Sequence, residues 1–223
     1  MSYYPIFLDL SGRKVVVVGG GAVARRKIEA LLECGAVVHV IARDLSPELQ
    51  DRLKNGNIRL ESGEFNENSI KDAFIVIAAT NDRVLNKEVS ETAKKRNILV
   101  NVVDQPDECS FIVPSVVKRG GLLIAVSTSG KSPALAKKIR KSLSDQFGEE
   151  YGFFLNMMAA IRKQLLTEDI PEDKRSRIFH ELVDSSILES IRIGDLPSIA
   201  EELERIFGRV FTPDDVMAYM EEG

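Results

Sequence analysis

The sequence has few of the residues that build disulfides and structural metal sites. It contains only two cysteines and two histidines among 223 residues. Cys34 and Cys109 are far apart and form no C-x-x-C pair, a pattern that predicts a reducing cytoplasm and neither structural zinc nor a permanent metal site. We expect Cys34 to lie in the core. We also expect His39, which lies inside an apolar run, to be a packed residue rather than a ligand.

Long apolar runs and a strong net charge are also absent. No stretch approaches the ~20 apolar residues that a membrane span needs, and Met1–Pro5 lacks the pattern that opens a signal peptide. The formal net charge is -4 at pH 7, which argues against a general nucleic-acid surface. We therefore expect a cytoplasmic globular protein of one large or two small domains, with neither membrane nor nucleic acid as a partner.

A strand, a glycine turn and a helix follow one another near the start of the chain. Val15–Val18 is a run of four valines that predicts a buried strand, and Gly19–Ala24 fits the pattern G-x-G-x-x-G/A. A helix is predicted to follow directly. This order is what a dinucleotide pyrophosphate site requires: Gly19 permits the tight turn, and Gly21 lets the backbone approach a phosphate. The alternative is an ordinary tight turn that binds no ligand.

Alternating strands and helices continue to about residue 108, which predicts a Rossmann-type parallel sheet with helices on both faces. In such a fold the residue at the end of the second strand contacts the adenosine ribose. Here the second strand, Val37–Ala42, ends at Arg43 and Asp44. Asp44 could accept hydrogen bonds from the ribose hydroxyls of NAD, whereas Arg43 could meet the 2′-phosphate of NADP, so the residues leave the choice open.

Polar residues follow two later strands of the predicted sheet. Thr80 and Asn81 end one strand, and Asp82 is a predicted N-cap of the next helix. Asp104 lies just past another strand end, beside the expected nicotinamide side of the crevice. Hydride removal leaves a cation that must lose a proton, and the Asp104 carboxylate could accept it. The alternative role for Asp104 is a structural cap of the turn before Pro106.

The pattern changes in the second half of the chain. Two strands joined by glycines, Ser110–Val117 and Leu122–Val126, predict a hairpin. A helix follows, and the remainder reads as helical. We therefore predict three parts: a Rossmann domain at 1–109, a hairpin-plus-helix module at 110–146 and an all-helical C-terminal domain at 147–223.

The hairpin module is basic in a chain that is net acidic. Residues 110–144 contain seven lysines and arginines and no acidic residue. Within them, a polar loop with hydroxyl groups and a lysine opens onto a helix capped by Ser132. Such a loop can bind carboxylate or phosphate, although a solvated helix face is the plainer interpretation. The candidate anion-binding residues are Ser127, Thr128, Ser129 and Lys131.

Five motifs share their spacing with one known family: Gly19–Lys27, Ala78–Asp82, Asn101–Asp104, Ser110–Ser115 and Val126–Pro133. With these motifs the chain resembles the precorrin-2 dehydrogenase family, which includes the N-terminal module of siroheme synthase and bifunctional dehydrogenase–ferrochelatases. The resemblance spans residues 1 to about 150.

The resemblance implies NAD-dependent oxidation of precorrin-2, a tetrapyrrole with eight carboxylates, to sirohydrochlorin, and some members also insert iron. It implies a homodimer in which the hairpin-and-helix module is exchanged or packed between subunits. Asp104 matches the aspartate proposed as the family's general base. The expected cofactor-binding residues are Gly19, Gly21, Ala22, Val23, Arg43, Asp44, Thr80, Asn81, Asn101 and Val103. The rival hypothesis is a nucleotide-sensing regulatory dimer without catalysis.

Overall fold

The protein folds into two units that meet in sequence between Val113 and Pro114. The computed structural model describes residues 3–168 and 170–221. The hairpin, the helix that follows it and the later helices all belong to the second unit. The finer three-part division at 109/110 and 146/147 stays a prediction.

The first unit is a five-stranded parallel sheet in the order β3-β2-β1-β4-β5. Its strands are β1 (Lys14–Val18), β2 (Val37–Ile41), β3 (Ile58–Ser62), β4 (Ile75–Ala78) and β5 (Leu99–Val102). Its helices are α1 (Ala22–Glu33), α2 (Pro47–Lys54) and α3 (Arg83–Lys95), with short 3-10 helices at Glu67–Ile70 and Pro106–Glu108. The Rossmann-type sheet predicted from the alternating pattern is thereby confirmed.

The valines of β1 form the centre of the sheet and are buried on both of its faces. Val15 and Val17 pack in one hydrophobic cluster, whereas Val16 and Val18 pack in another. Successive side chains of a strand point to opposite faces, so a strand that is covered on both sides needs apolar residues at every position. The valine run therefore fixes β1 as a central strand with helices on both sides.

The helices begin and end close to the predicted positions, with one error in burial. The Asp82 carboxylate accepts hydrogen bonds from the backbone N–H groups of Val84 and Leu85 at 2.8 and 3.1 Å, which confirms the predicted N-cap of α3. Cys34, predicted to lie in the core, is exposed. It follows the last residue of α1, where the chain turns through Gly35 with φ +73, and this turn carries its side chain away from the sheet.

His39 is packed as predicted, and it takes part in a polar cluster at the edge of the sheet. Its imidazole Nδ1 contacts the Glu61 carboxylate, and Lys14 lies 3.3 Å from the same carboxylate. The hydrogen bond with His39 and the charge of Lys14 lower the pKa of Glu61. A carboxyl whose pKa is lower in the folded than in the unfolded protein stabilises the fold above its unfolded pKa.

We expect the substitution Glu61→Gln to flatten the loss of stability on acidification. In the wild-type protein, protonation of Glu61 removes its pairing with Lys14 and His39, so this stabilisation is lost as the pH falls from the ordinary glutamate pKa of 4.5 through the lower pKa of the folded protein. The glutamine does not titrate there. Denaturant unfolding at several pH values measures the difference, and equal slopes for the two proteins would contradict the role given to Glu61.

The second unit begins with an antiparallel hairpin, β6 (Ser115–Arg119) and β7 (Leu122–Val126). The predicted first strand, Ser110–Val117, begins too early. Ser110 exchanges hydrogen bonds with Val100 of β5 at 2.8 Å and so belongs to the first unit. A pattern of apolar residues alone cannot tell which strand such a segment joins.

Helices complete the second unit and confirm the helical C-terminal segment. They are α4 (Pro133–Gln146), α5 (Glu150–Thr167), α6 (Glu172–Asp184), α7 (Ile187–Ile193), α8 (Leu196–Phe207) and α9 (Pro213–Glu221). Their shared core contains Met157, Leu182 and Leu203. Across the described parts of the chain, none of these helices combines the length and apolarity that crossing a membrane would need.

Candidate active site

The glycine loop between β1 and α1 is shaped by contacts that exclude larger side chains. Gly19 has φ +128, and a Cβ on it would lie 2.4 Å from the carbonyl oxygen of Ala79. A Cβ on Gly20 would lie 2.0 Å from the carbonyl oxygen of Asp44. Gly21, in contrast, has nothing within 4 Å of its would-be Cβ. The first two glycines are thus required by the protein's own backbone, and the third leaves open space for a ligand.

The start of α1 offers that space an anion-binding surface. Gly21 is the N-cap of α1, and no side chain caps the helix. Unpaired N–H groups and the positive end of a helix dipole favour a phosphate group. The cradle formed by Gly19 and Gly20 and the open position at Gly21 therefore fit the pyrophosphate of a dinucleotide.

A cleft of about 600 Å³ opens in front of this loop. It is lined by residues from the carboxyl ends of β1, β4 and β5, which meet at one edge of a parallel sheet. Eight of the predicted site residues lie together here: Gly19, Gly21, Ala22, Val23, Thr80, Asn81, Val103 and Asp104. The cleft also contains Gly20, Ala79, Arg83, Asn86 and Gln105, which the sequence reasoning did not assign to the site.

Asn86 holds the strand-end residue Thr80 in place. The Asn86 carbonyl accepts from the Thr80 hydroxyl at 2.7 Å, and its amide donates to the Thr80 backbone carbonyl at 3.0 Å. Asn86 is buried on α3, so this network fixes the wall of the cleft after β4. The signal in the sequence was a polar residue on the buried face of an amphipathic helix, where such a side chain needs a partner.

Asp104 lies at the mouth of the cleft in a constrained turn. Its φ of +58 is in the left-handed region, which is uncommon for residues other than glycine. The turn is held from behind by Cys109, whose thiol lies within 3.4 Å of the backbone of Val102 and Gln105. Within residues 3–168 and 170–221 no group donates a hydrogen bond to the Asp104 carboxylate. Asp104 is exposed, and its carboxylate is not used as a cap of the turn before Pro106.

Lys27 on α1 places a half-buried cation in electrostatic reach of this turn. Burial lowers the pKa of the Lys27 ammonium, as does the charge of Arg26, whereas Cys109 and Asp104 act in the opposite direction. Lys27 therefore adds positive charge near the Asp104 turn, beside that of Arg83, which lines the cleft.

Three of the predicted cofactor residues do not line this cleft. Arg43 and Asp44 are exposed just beyond the end of β2, where the Asp44 backbone packs against Gly20. Asn101 is buried in β5, and its amide donates to the Phe111 carbonyl at 3.1 Å. Asn101 therefore ties the segment after the Asp104 turn to the sheet, a contact between distant residues that its position in the sequence did not reveal.

The predicted anion-binding loop lies between β7 and α4 of the second unit. Its hydroxyls shape the loop: Ser127 accepts from the N–H of Ser129 at 3.0 Å, and Thr128 accepts from the N–H of Ser132 at 3.1 Å. Ser129 has φ +51, and Lys131 is exposed. The structure thus presents a tight polar loop at the N-terminus of α4.

One cation of the basic module has a structural role. Arg119 donates to the carbonyl of Phe147 at 3.0 Å and to the hydroxyl of Ser144 at 2.9 Å, and it lies 3.3 Å from the Glu149 carboxylate. These contacts fasten β6 to the end of α4. The positive charge that remains for an acidic ligand is therefore carried by the other basic residues of the module.

The parallel sheet, the glycine loop and the cleft define a dinucleotide-binding protein of the Rossmann class. Comparisons with known proteins agree. A family model described as NAD(P)-binding matches residues 6–115, and a second model, described as the central part of a sirohaem biosynthesis protein, matches residues 119–146.

Relatives and a solved structure indicate which family within this class the chain resembles. The chain is 38% identical to the siroheme synthase of Photorhabdus laumondii over 92% of this chain and 44% of the relative. It is 39% identical to that of Nitrosococcus oceani over 99% of this chain and 47% of the relative. The chain thus spans about half the length of these curated relatives. Its structure is similar to that of SirC, precorrin-2 dehydrogenase, with a TM-score of 0.78 and 29% identity over 93% of this chain and 100% of that one.

The chain belongs to the precorrin-2 dehydrogenase family, which includes siroheme synthase. The motifs that suggested this family in the sequence coincide with the glycine loop, the strand ends at the cleft and the loop before α4.

Proposed function

We propose that the protein oxidises precorrin-2 to sirohydrochlorin with NAD as the cofactor. The observation that carries this proposal is the meeting of a pyrophosphate cradle and the exposed Asp104 carboxylate in one cleft. The names of its relatives, siroheme synthase and precorrin-2 dehydrogenase, support the same activity. They do not favour the rival hypothesis of a regulatory dimer without catalysis.

The proposed cofactor site uses the glycine loop and the adjoining strand ends. The N–H groups at Ala22 and Val23 would hold the pyrophosphate, Asp44 would accept from the ribose, and Thr80 and Asn81 would border the nicotinamide ribose. NAD supplies the chemistry of hydride acceptance when it is bound. The role of the chain is to orient the dinucleotide along the carboxyl edge of the sheet.

Asp104 is the proposed general base. Oxidation of precorrin-2 removes a hydride and a proton, and the Asp104 carboxylate, or a water that it holds, would take the proton. Its exposed position and its freedom from other hydrogen bonds keep the carboxylate available for this role. Its constrained backbone fixes where the carboxylate can reach.

The loop before α4 is the proposed contact for the acidic rim of the substrate. Lys131 would pair with a peripheral carboxylate, and the hydroxyls of Ser127, Thr128 and Ser129 would donate to others. A substrate with eight carboxylates needs several such donors, and the basic composition of the module supports this assignment. We also propose a cytoplasmic location, which the two free cysteines support.

The activity is tested by mixing the protein with precorrin-2 and NAD and following the absorbance of sirohydrochlorin and of NADH. We expect the two products to appear together in equal amounts. A protein that binds NAD but leaves precorrin-2 unchanged would favour the regulatory hypothesis. Iron insertion stays a prediction, and incubation of sirohydrochlorin with Fe²⁺ tests it separately. Within the described residues no cluster of three or more His, Cys, Asp or Glu side chains is placed to hold a resident metal ion.

A homodimer is the proposed assembly, formed through the hairpin. The outward face of the hairpin is apolar apart from Lys118: Val116 and Leu123 are 43% and 42% exposed, and Ala125 lies opposite Val116 in register. Leu135 on α4 is exposed as well. Apolar side chains grouped on one exposed face are typical of an interface between subunits.

The substitution Leu123→Asp should convert the proposed dimer into a monomer. Leu123 lies opposite Lys118 in the hairpin register, so an aspartate can pair with that lysine and leave the hairpin intact, while its charge opposes burial between subunits. Light scattering coupled to size exclusion measures the mass. Val183→Asp, on an exposed position of α6, is the control that should remain dimeric. A Leu123→Asp dimer would exclude this face as the interface.

A further inference from the structure

The end of β2 carries an arginine whose charge is taken up by a residue that the sequence motifs did not include. Arg43 donates from Nη2 to the Glu64 carboxylate at 2.7 Å. Arg43 follows the end of β2 by two residues, and Glu64 follows the end of β3 by two residues. Because β2 and β3 are parallel neighbours, both side chains leave the sheet at the same edge, next to the glycine loop.

This pair lies close to the proposed site of the adenosine ribose. The segment after β2 is attached to the glycine loop: the N–H of Ser46 donates to the Gly20 carbonyl at 2.9 Å, and the N–H of Gly19 donates to the Ile41 carbonyl at 2.9 Å. Dinucleotide folds place the ribose 2′ position at the end of this strand. An arginine there ordinarily accommodates a 2′-phosphate.

Resting on the proposed function, we propose that Glu64 is a specificity-determining residue that makes the site select NAD and reject NADP. Glu64 occupies the Arg43 guanidinium with a charge-assisted hydrogen bond. With Asp44 and Glu64 acidic and Arg43 basic, the three residues carry a formal net charge of about -1 at neutral pH. A 2′-phosphate would have to displace the Glu64 carboxylate and lie beside it, whereas the 2′-hydroxyl of NAD meets only Asp44.

The inference accounts for a sequence that leaves the choice of cofactor open. Read alone, Arg43 favours NADP and Asp44 favours NAD. The ion pair resolves this conflict, because an Arg43 guanidinium that is bound to Glu64 is not available to bind a 2′-phosphate. Both side chains of the pair are about three-quarters exposed, so the expected effect on affinity is moderate.

The experiment measures the dissociation constants of NAD and NADP by calorimetry, which needs neither precorrin-2 nor turnover. We expect the wild-type protein to bind NAD more tightly than NADP. In Glu64→Gln the affinity for NADP should rise about twofold to fivefold, the upper part of the range of an exposed ion pair. The affinity for NAD should change by less than about twofold, since the 2′-hydroxyl carries no charge.

Two further variants separate the ion pair from a general effect of charge. In Arg43→Gln/Glu64→Gln the gain in NADP affinity should disappear, because the guanidinium that would meet the phosphate is gone. Glu67→Gln is the matched control. Glu67 is an exposed glutamate that, like Glu64, lies between β3 and β4, but its carboxylate is 3.8 Å from Arg96 and does not pair with Arg43. It should leave the affinity for NADP unchanged.

Several outcomes would overturn the proposal. These are equal binding of NAD and NADP by the wild-type protein, no gain in Glu64→Gln, a gain that persists without Arg43, or an equal gain in Glu67→Gln. A wild-type protein that binds neither dinucleotide would overturn the proposed function itself, and this inference with it. Binding of NAD without oxidation of precorrin-2 would reject the activity while leaving the test of Glu64 intact.

Discussion

Replacing Asp104 with asparagine should lower the turnover of precorrin-2 by at least about 100-fold, the lower end of what a positioned general base contributes. Asparagine has nearly the same shape, and it tolerates the left-handed backbone that Asp104 adopts at φ +58. The substitution therefore removes the proton-accepting charge and little else. The affinity for NAD should stay within about threefold of the wild-type value, because the glycine loop is untouched.

Asp72→Asn is the matched control for this variant. Among residues 3–168 and 170–221, Asp72 is the other aspartate with a left-handed backbone, at φ +61, and it lies outside the cleft before β4. Steady-state kinetics and calorimetry of the two variants should show full activity for Asp72→Asn and a loss of kcat for Asp104→Asn. An Asp104→Asn protein with wild-type turnover would remove Asp104 from the mechanism.

The substitution Gly20→Ala should weaken the binding of NAD strongly. A Cβ on Gly20 would lie 2.0 Å from the Asp44 carbonyl oxygen and 3.0 Å from the Ala42 side chain. Neither neighbour is the end of a flexible side chain, so the loop or the segment after β2 must shift. A shift of this kind moves the N–H groups that would meet the pyrophosphate, and we expect a loss of at least about tenfold in affinity.

Substitutions at two other glycines distinguish an effect on NAD binding from an effect on the stability of the fold. Gly56→Ala introduces a strained residue at φ +72 with nothing within 4 Å. It should lower stability by about 1 kcal/mol and leave NAD binding unchanged. Gly21→Ala should leave stability unchanged and weaken NAD binding. An added Cβ has nothing within 4 Å of it in the protein alone, but it would occupy the space proposed for the pyrophosphate. Thermal unfolding and calorimetry give both quantities, and tight NAD binding by Gly20→Ala would refute the assigned role of the loop.

Local patterns were enough to predict the fold and the position of the cleft. The valine run of β1, the glycine loop and the Asp82 cap depend on residues next to one another in sequence, whose conformational preferences act directly. Since parallel strands end at one edge of the sheet, the pattern also brings Thr80 and Asp104 to the same place.

Apart from the burial of Cys34, which a local turn decides, the errors and omissions involve contacts between residues distant in sequence. Nothing near Arg119 indicates that it would bind the end of α4, and nothing near Asn101 indicates that its amide would hold Phe111. The pairing of Arg43 with Glu64 likewise joins residues 21 positions apart. Such contacts depend on which strands become neighbours, so they follow from the tertiary structure rather than from spacing along the chain.

A crystal structure of the protein with NAD tests the central claim most directly. We expect the pyrophosphate against the start of α1 at Gly21, and the nicotinamide ring at the carboxyl ends of β4 and β5, with the Asp104 carboxylate facing the space next to the ring. A nicotinamide ring bound at the opposite end of the cleft, or an Asp104 carboxylate turned away from it, would contradict the proposed pairing of hydride acceptor and proton acceptor.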